Sequence, residues 1–194
     1  MKQFRSHRGH GAIRASFAAY GMVLAAMAAW GLARSPSDRW LELALLALLG
    51  LAGWTFVEYV LHRFVLHGLR PLRDWHTVHH LRPTVPVGTP PVLGVALIAT
   101  LVILPALLLV DAWRAGALAL GLTSGYLVYS ITHHAIHHGH ARFAWLDRRR
   151  ALHALHHHMR RPGCFGVTTS FWDEALHSVT LRAPGRAARH RSST

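Results

Sequence analysis

Ten histidines of this chain fall into four short clusters. HRFVLH carries His62 and His67, and HTVHH carries His76, His79 and His80. HHAIHH carries His133 and His137, and HALHHH carries His153, His156 and His157. Neutral imidazole is the commonest protein ligand for transition-metal ions and stays unprotonated near pH 7, so the chemistry these clusters suggest is metal binding. Residues three and four apart share a helix face. His76, His79 and His80 should therefore point one way, as should His153, His156 and His157, while His133 and His137 stack one turn apart. His62 and His67 lie five apart, about 140° around an ideal helix. That pair either straddles two metal ions or needs a local π-bulge, a feature common at functional sites. Ten donors exceed what one tetrahedral or octahedral ion can use; they suit two ions with four or five nitrogens each. The two HxxHH triads read as a repeated half-site. The metalloprotease signature HExxH, a GxGxxG after a strand and a hydrolase nucleophile elbow are all absent.

A polynuclear site needs a rigid frame, and the chain between the clusters supplies an oily one. Of 194 residues, 52% are hydrophobic and only 15% charged. ASFAAYGMVLAAMAAWGLA (15–33) and VLGVALIATLVILPALLLV (92–110) carry no charge, nor does AGALALGLTSGYLVYSIT (115–132). LELALLALLGLAGWTFVEYVLH (41–62) carries two carboxylates. Each is close to the roughly 20 residues needed to cross a hydrocarbon core. The first is too long for a signal-peptide core and more spans follow it. The expected fold is all-α: an integral membrane protein with four transmembrane helices, the third kinked at Pro105, beneath a histidine-rich helical cap. Residues 1–14 form a basic N-terminal segment, 15–182 the membrane domain and 183–194 a disordered basic tail.

Lys and Arg number 21 against 8 Asp and Glu, a formal charge of +13. Beside membrane spans, such an excess points to the cytoplasmic face and anionic lipid rather than to nucleic acid. The N-terminus, the 62–90 segment and the tail hold every basic residue except Arg34, Arg39 and Arg114. Both termini are thus expected in the cytoplasm. All 18 histidines fall on that same side. The single cysteine, Cys164, rules out an internal disulfide and reads as a small loop residue. Arg148, Arg149 and Arg150 read as facing lipid phosphates or solvent, with binding of an acidic electron carrier as the alternative.

The four clusters resemble those of the fatty acid hydroxylase/sterol desaturase superfamily of membrane di-iron enzymes. FGVTTSFWD (165–173), EYVLHRFVLH (58–67) and YSITHHAIHHG (129–139) are similar to segments of its fatty acid 2-hydroxylase branch. The resemblance covers roughly residues 55–175. It implies two iron ions held by His62, His67, His76, His79, His80, His133, His137, His153, His156 and His157, with zinc able to substitute in isolated protein. It implies an O2-dependent monooxygenase that inserts one oxygen into the acyl C–H bond of a fatty acid, sphingolipid or ceramide. Four features depart from the pattern. His134 stands where an aromatic is common, and His158 extends the last cluster. EALHSV follows FWD without the usual glycine turn, and the proline-rich connection RPTVPVGTPP (82–91) lacks an acidic residue often found there. No haem-binding domain precedes the spans as it does in some relatives, so electrons are expected from a separate cytochrome b5-like protein or ferredoxin.

Imidazole ligands need partners that orient them. Asp173 is the leading carboxylate for that role and Glu58 the next, with His134 and His138 also considered; Asp74 and Asp147 are the other nearby carboxylates. The alternative for Glu58 is a helix-end pair with Arg63. Tyr59, Tyr129 and Trp172 read as interfacial aromatics. Carotenoid or sterol hydroxylation and desaturation are the rival activities within the superfamily. A metal transporter would need polar ligands near the bilayer midplane, which the first, third and fourth spans lack. A non-catalytic metal-binding protein would not require such regular spacing.

Overall fold

A computed structural model of the chain describes residues 2–84, 100, 104–158 and 163–179. Among them all regular structure is helical. We number the α-helices α1 (Lys2–Arg34), α2 (Trp40–Val60), α3 (Leu72–Leu81), α4 (Leu104–Leu109), α5 (Ala112–His138), α6 (Ala144–His158) and α7 (Phe171–Ala175). A short 3-10 turn, Ser37–Arg39, precedes α2, and a π-helical turn, Leu61–Leu66, continues it. Three stretches are long and apolar enough to cross a membrane: Ile13–Arg34, Ser37–Leu66 and Ala112–His138. The third expected span, 92–110, lies mostly outside the described residues; its described part is α4. The tail, 183–194, also lies outside them. α1 extends through the basic segment expected to stand apart from the first span.

The frame is the pairing of α2 with α5. The two helices run parallel, so the histidines at the end of α2 and those at the end of α5 emerge at the same level. Their contact is made through backbone. A Cβ on Gly50 would lie 2.3 Å from the Leu118 carbonyl oxygen, and one on Gly121 would lie 2.0 Å from the Ala47 carbonyl oxygen. In lipid, where apolar burial drives little association, close backbone approach at small residues is what holds helices together. Trp54 and Leu122 fill the seam just above, packed by Val57, Leu61, Leu118, Tyr126 and Tyr129. At the opposite end Arg114 of α5 donates to Glu42 of α2 at 2.6 Å.

α1 runs antiparallel to α5. Its Trp30 lies beside Gly116, its Tyr20 against Tyr126 with ring centroids 5.5 Å apart, and its Phe17 against His134. Leu41, Leu45, Leu48 and Leu49 on α2 are exposed on one face. Leucines at that spacing, uncovered by protein, form a lipid-facing stripe.

Overpacking the seam should be costly. Gly121→Val is expected to destabilise the protein in detergent by about 1–3 kcal/mol, read as a lower thermal midpoint. Gly53→Ala, on α2, meets no atom within 4 Å and should leave the midpoint unchanged or slightly raised. Equal behaviour of the two variants would contradict the close approach.

Candidate metal centre

The nitrogens of nine histidines gather into two groups, the donor atoms of each lying within 4.8 Å of one another. His62, His67, His76, His80 and His156 form the first, and His79, His133, His137 and His153 form the second. The tenth, His157, joins the second group's edge, its Nε2 3.0 Å from that of His153. Its ring stacks on His80 of the first group, with centroids 4.2 Å apart. All ten sequence-derived residues thus converge at one place.

The spacing of His62 and His67 is resolved by the π turn. The His67 N–H reaches the His62 carbonyl at 3.3 Å, an i to i+5 bond, and this wider turn brings both rings into the same group. The HxxHH triads behave differently from the expectation that each points one way. α3 gives His76 and His80 to the first group and His79 to the second. α6 gives His156 to the first group and His153 and His157 to the second. Each triad contributes an i, i+4 pair to one group and its remaining histidine to the other. A pair of histidines from a span end completes each group.

Contacts within the groups run from Nε2 to Nε2. They measure 3.0 Å for His62–His76, 3.1 Å for His76–His80, 3.1 Å for His80–His156 and 3.0 Å for His156–His67. In the second group they are 3.1 Å for His79–His133, 3.2 Å for His133–His137 and 2.9 Å for His137–His153. Two nitrogens bound to one ion at about 2.1 Å and at right angles are about 3.0 Å apart. An all-nitrogen donor set at these spacings therefore fits a first-row transition-metal ion in each group.

The tautomers agree. His62 Nδ1 donates to the Phe165 carbonyl oxygen at 2.5 Å, and His156 Nδ1 donates to that of Gly163 at 2.8 Å. A carbonyl only accepts, so both Nδ1 atoms carry the proton and both Nε2 lone pairs face inward. Burial, reinforced by neighbouring imidazoles, pushes His79 down to about 3 and His80 and His157 down to about 4. His76, His153 and His156 are lowered too, by burial first and then by the imidazoles around them. The cap imidazoles are therefore neutral at pH 7, the form that binds metal.

The carboxylates act one bond further out than the sequence suggested. Asp173 accepts from the Phe165 and Gly166 N–H groups at 2.8 and 2.7 Å and from the Ser178 hydroxyl at 2.7 Å. Glu58 accepts from the Val167 and Thr168 N–H groups at 2.6 and 2.9 Å and from the Thr168 hydroxyl at 2.6 Å. Together they clamp the loop whose carbonyls orient His62 and His156. Glu58 is not the helix-end partner of Arg63, which donates instead to the Tyr59 hydroxyl. Asp74 pairs with Arg70 and Arg73, and Asp147 with Arg150. His134 and His138 lie outside both groups, ring against ring at 4.7 Å.

The three aromatics expected at the membrane interface have specific partners on the helices around the site. Tyr59 is fully buried, its hydroxyl 3.0 Å from that of Ser178. Tyr129 stacks on His133, and Trp172 donates to Thr55 Oγ1 at 2.9 Å. Thr168, Ser178 and the two loop carbonyls were not singled out in the sequence, because backbone groups and hydroxyls carry no signal there. Cys164 is buried in the same loop, as a small loop residue can be.

A family model described as fatty acid hydroxylase matches residues 47–178. The dihydroceramide fatty acyl 2-hydroxylase FAH2 of Arabidopsis thaliana is 30% identical over 148 residues, 71% of this chain and 62% of that protein. The fatty acid 2-hydroxylase of Homo sapiens is 29% identical over 157 residues, 72% of this chain and 40% of that protein. Among solved structures, full-length scs7p with only its hydroxylase domain visible superposes with a TM-score of 0.69 at 25% identity. That match covers 83% of this chain and 64% of the scs7p chain. The chain thus spans less than two thirds of the length of these proteins.

Two outcomes follow from the site. Asp173→Ala frees two N–H groups of the loop and should weaken metal retention about 10–100-fold, measured by competition with a chromogenic chelator. Unchanged affinity would mean that the clamp does not act on the imidazoles. In metal-free protein, depressed imidazole pKa values mean that the unfolded chain binds more protons than the folded cap below the ordinary imidazole pKa. Stability should therefore fall as pH drops from 6.5 toward 4. Thermal midpoints of chelator-treated protein across that range test this, and a flat profile would contradict it.

Proposed function

The chain belongs to the fatty acid hydroxylase family, and from that premise we propose that it is a membrane-bound, O2-dependent lipid monooxygenase that converts an acyl C–H bond to C–OH. The observation that carries this reading is the placement of two all-imidazole groups at the shared end of two membrane-length helices. A hydrophobic chain in the bilayer can reach such a site without crossing water. The relatives above are named as 2-hydroxylases of fatty acids and of dihydroceramide acyl chains, which makes the carbon beside the acyl carbonyl the proposed position.

In this reading the first group, His62, His67, His76, His80 and His156, holds one iron ion. The second, His79, His133, His137, His153 and His157, holds the other. Iron bound there supplies the O2-dependent redox chemistry that amino-acid side chains lack. The reaction balances when R–H, O2, two electrons and two protons give R–OH and water. A separate electron-transfer protein, cytochrome b5-like or ferredoxin, supplies the electrons. The protein's own part is positional. Phe165 and Gly163 carbonyls hold His62 and His156 in the metal-binding tautomer. Glu58 and Asp173 hold those carbonyls in place. α2 and α5 keep the two span-end histidine pairs in register. The excess of Lys and Arg at the histidine end supports a cytoplasmic cap and cytoplasmic termini.

Lipid mass spectrometry on cells grown under 18O2 tests the proposal, comparing the intact chain with His156→Ala/His157→Ala, which removes one donor from each group. The expected result is acyl chains carrying one 18O with the intact chain only, and fragmentation would locate it. Oxygen on a carotenoid or sterol would keep the chemistry and replace the substrate. No oxidised lipid from an intact chain shown to hold iron and supplied with reductant would overturn the reading.

A further inference from the structure

The arginine run at 148–150 was expected to face phosphates or solvent, but its members have three different environments. Arg148 is exposed and lies 3.5 Å from Glu174. Arg150 ties α6 to the end of α5, donating to the carbonyls of Ala135, Gly139 and Ala141 and to Asp147. Arg149 is only 5% exposed. Its Nη2 lies 3.3 Å from the Ser170 hydroxyl, while its Nε and Nη1 are buried with no hydrogen-bond partner among the described residues.

Glu174, Asp173 and Glu58 favour its charge electrostatically, but among the described residues none of them hydrogen-bonds to it. Glu58 and Asp173 are each taken up by three donors of the 163–178 segment. Glu174 accepts from Ser170 at 2.7 Å and from Arg148. Burial makes the charged form of Arg149 less favourable, yet a guanidinium does not deprotonate in proteins. A buried cation with two unsatisfied nitrogens is costly unless an acceptor, best of all an anion, reaches it.

Position indicates where such an anion comes from. Arg149, His153 and His156 lie at i, i+4 and i+7 on α6, one face of the helix, with Arg149 about 6 Å along the axis from His153. Its partner Ser170 opens α7, whose Trp172 donates to Thr55 and packs on Phe56 with ring centroids 4.7 Å apart. Thr55 and Phe56 lie within the apolar stretch Ser37–Leu66. α7 therefore touches the apolar stretch, which makes a lipid the nearest source of an anionic head.

We propose that Arg149 binds the anionic oxygen head of an acyl chain, a carboxylate or a phosphate, beside the imidazole groups. Head-charged acyl chains, rather than neutral acyl esters, are then the substrate class. The link to substrate rests on the hydroxylase reading; the binding itself does not.

The test is equilibrium binding of radiolabelled palmitate, hexadecyl phosphate and methyl palmitate to the full-length, metal-loaded protein in phosphatidylcholine nanodiscs. Wild type should bind at least one anionic probe about tenfold more tightly than methyl palmitate. Whichever anionic probe is preferred identifies carboxylate or phosphate as the head. Arg149→Gln should bring the ratio to within about twofold, and Arg149→Lys should lower it at least about threefold, both with metal content and helical circular dichroism unchanged. No anionic preference in wild type, or a preference untouched in a folded variant, would overturn the proposal. Should Arg149→Gln fail to fold, wild type and Arg149→Lys decide by the same criteria. Wild type that shows the anionic preference but oxidises no lipid would sink the hydroxylase reading and leave the binding site standing.

Discussion

The close backbone contact of α2 with α5 at Gly50 and Gly121 is the constraint on which the site depends. Histidines drawn from four separate segments converge only if the two helices carrying the span-end pairs keep a fixed axial register. In lipid that register cannot come from apolar burial alone, because the surrounding chains are as apolar as leucine. It comes from shape, with glycine on each helix meeting a carbonyl of the other. Arg114 with Glu42 pins the far end, and the Trp54 cluster fills the near one. Because α2 and α5 run parallel, their ends rise to the same height, and α3 and α6 need only close over them.

How α3 and α6 close explains why the triads are HxxHH rather than two separate pairs. Four residues span slightly more than one turn, and three span slightly less. An i, i+4 pair can therefore address one centre while the residue between them addresses a centre beside it. α3 and α6 do this in opposite senses, so each holds both groups. Neither group can then shift independently of the other, and the His80–His157 stack lies where they meet. The loop after α6 completes the arrangement by fixing ring tautomers through its carbonyls, which neither triad can do for itself.

Much of this was legible in the sequence, for identifiable reasons. Apolar length revealed three of the membrane helices, and imidazole spacing revealed all ten converging residues. The π turn was one of two readings left open for His62 and His67, because an offset of five residues cannot by itself choose between them. What pattern could not show was division of labour. Whether His79 joins His76 depends on where α6 and the π turn place their own rings. The part played by FGVTTSFWD was hidden for another reason. Its work is done largely by backbone N–H and C=O groups, which carry no sequence signal, and only Asp173 within it and Glu58 outside it hint at that work. The burial of Arg149 was hidden because three adjacent arginines look alike in sequence, whereas consecutive residues point about 100° apart on a helix.

An all-imidazole site also poses a charge problem. Neutral histidines spare the cap the cost of burying several anions at a membrane surface, but they do nothing to balance the cations they would hold. Glu58 and Asp173 lie close enough to contribute negative potential, yet their oxygens are committed to the loop. Arg149 adds a further buried positive charge. With two divalent ions bound, this region would carry a net positive charge that no contacting side chain among the described residues offsets. An anionic head entering beside Arg149 would relieve that imbalance where an uncharged one could not. The same electrostatics that make the histidines good ligands would then favour a substrate that brings its own negative charge.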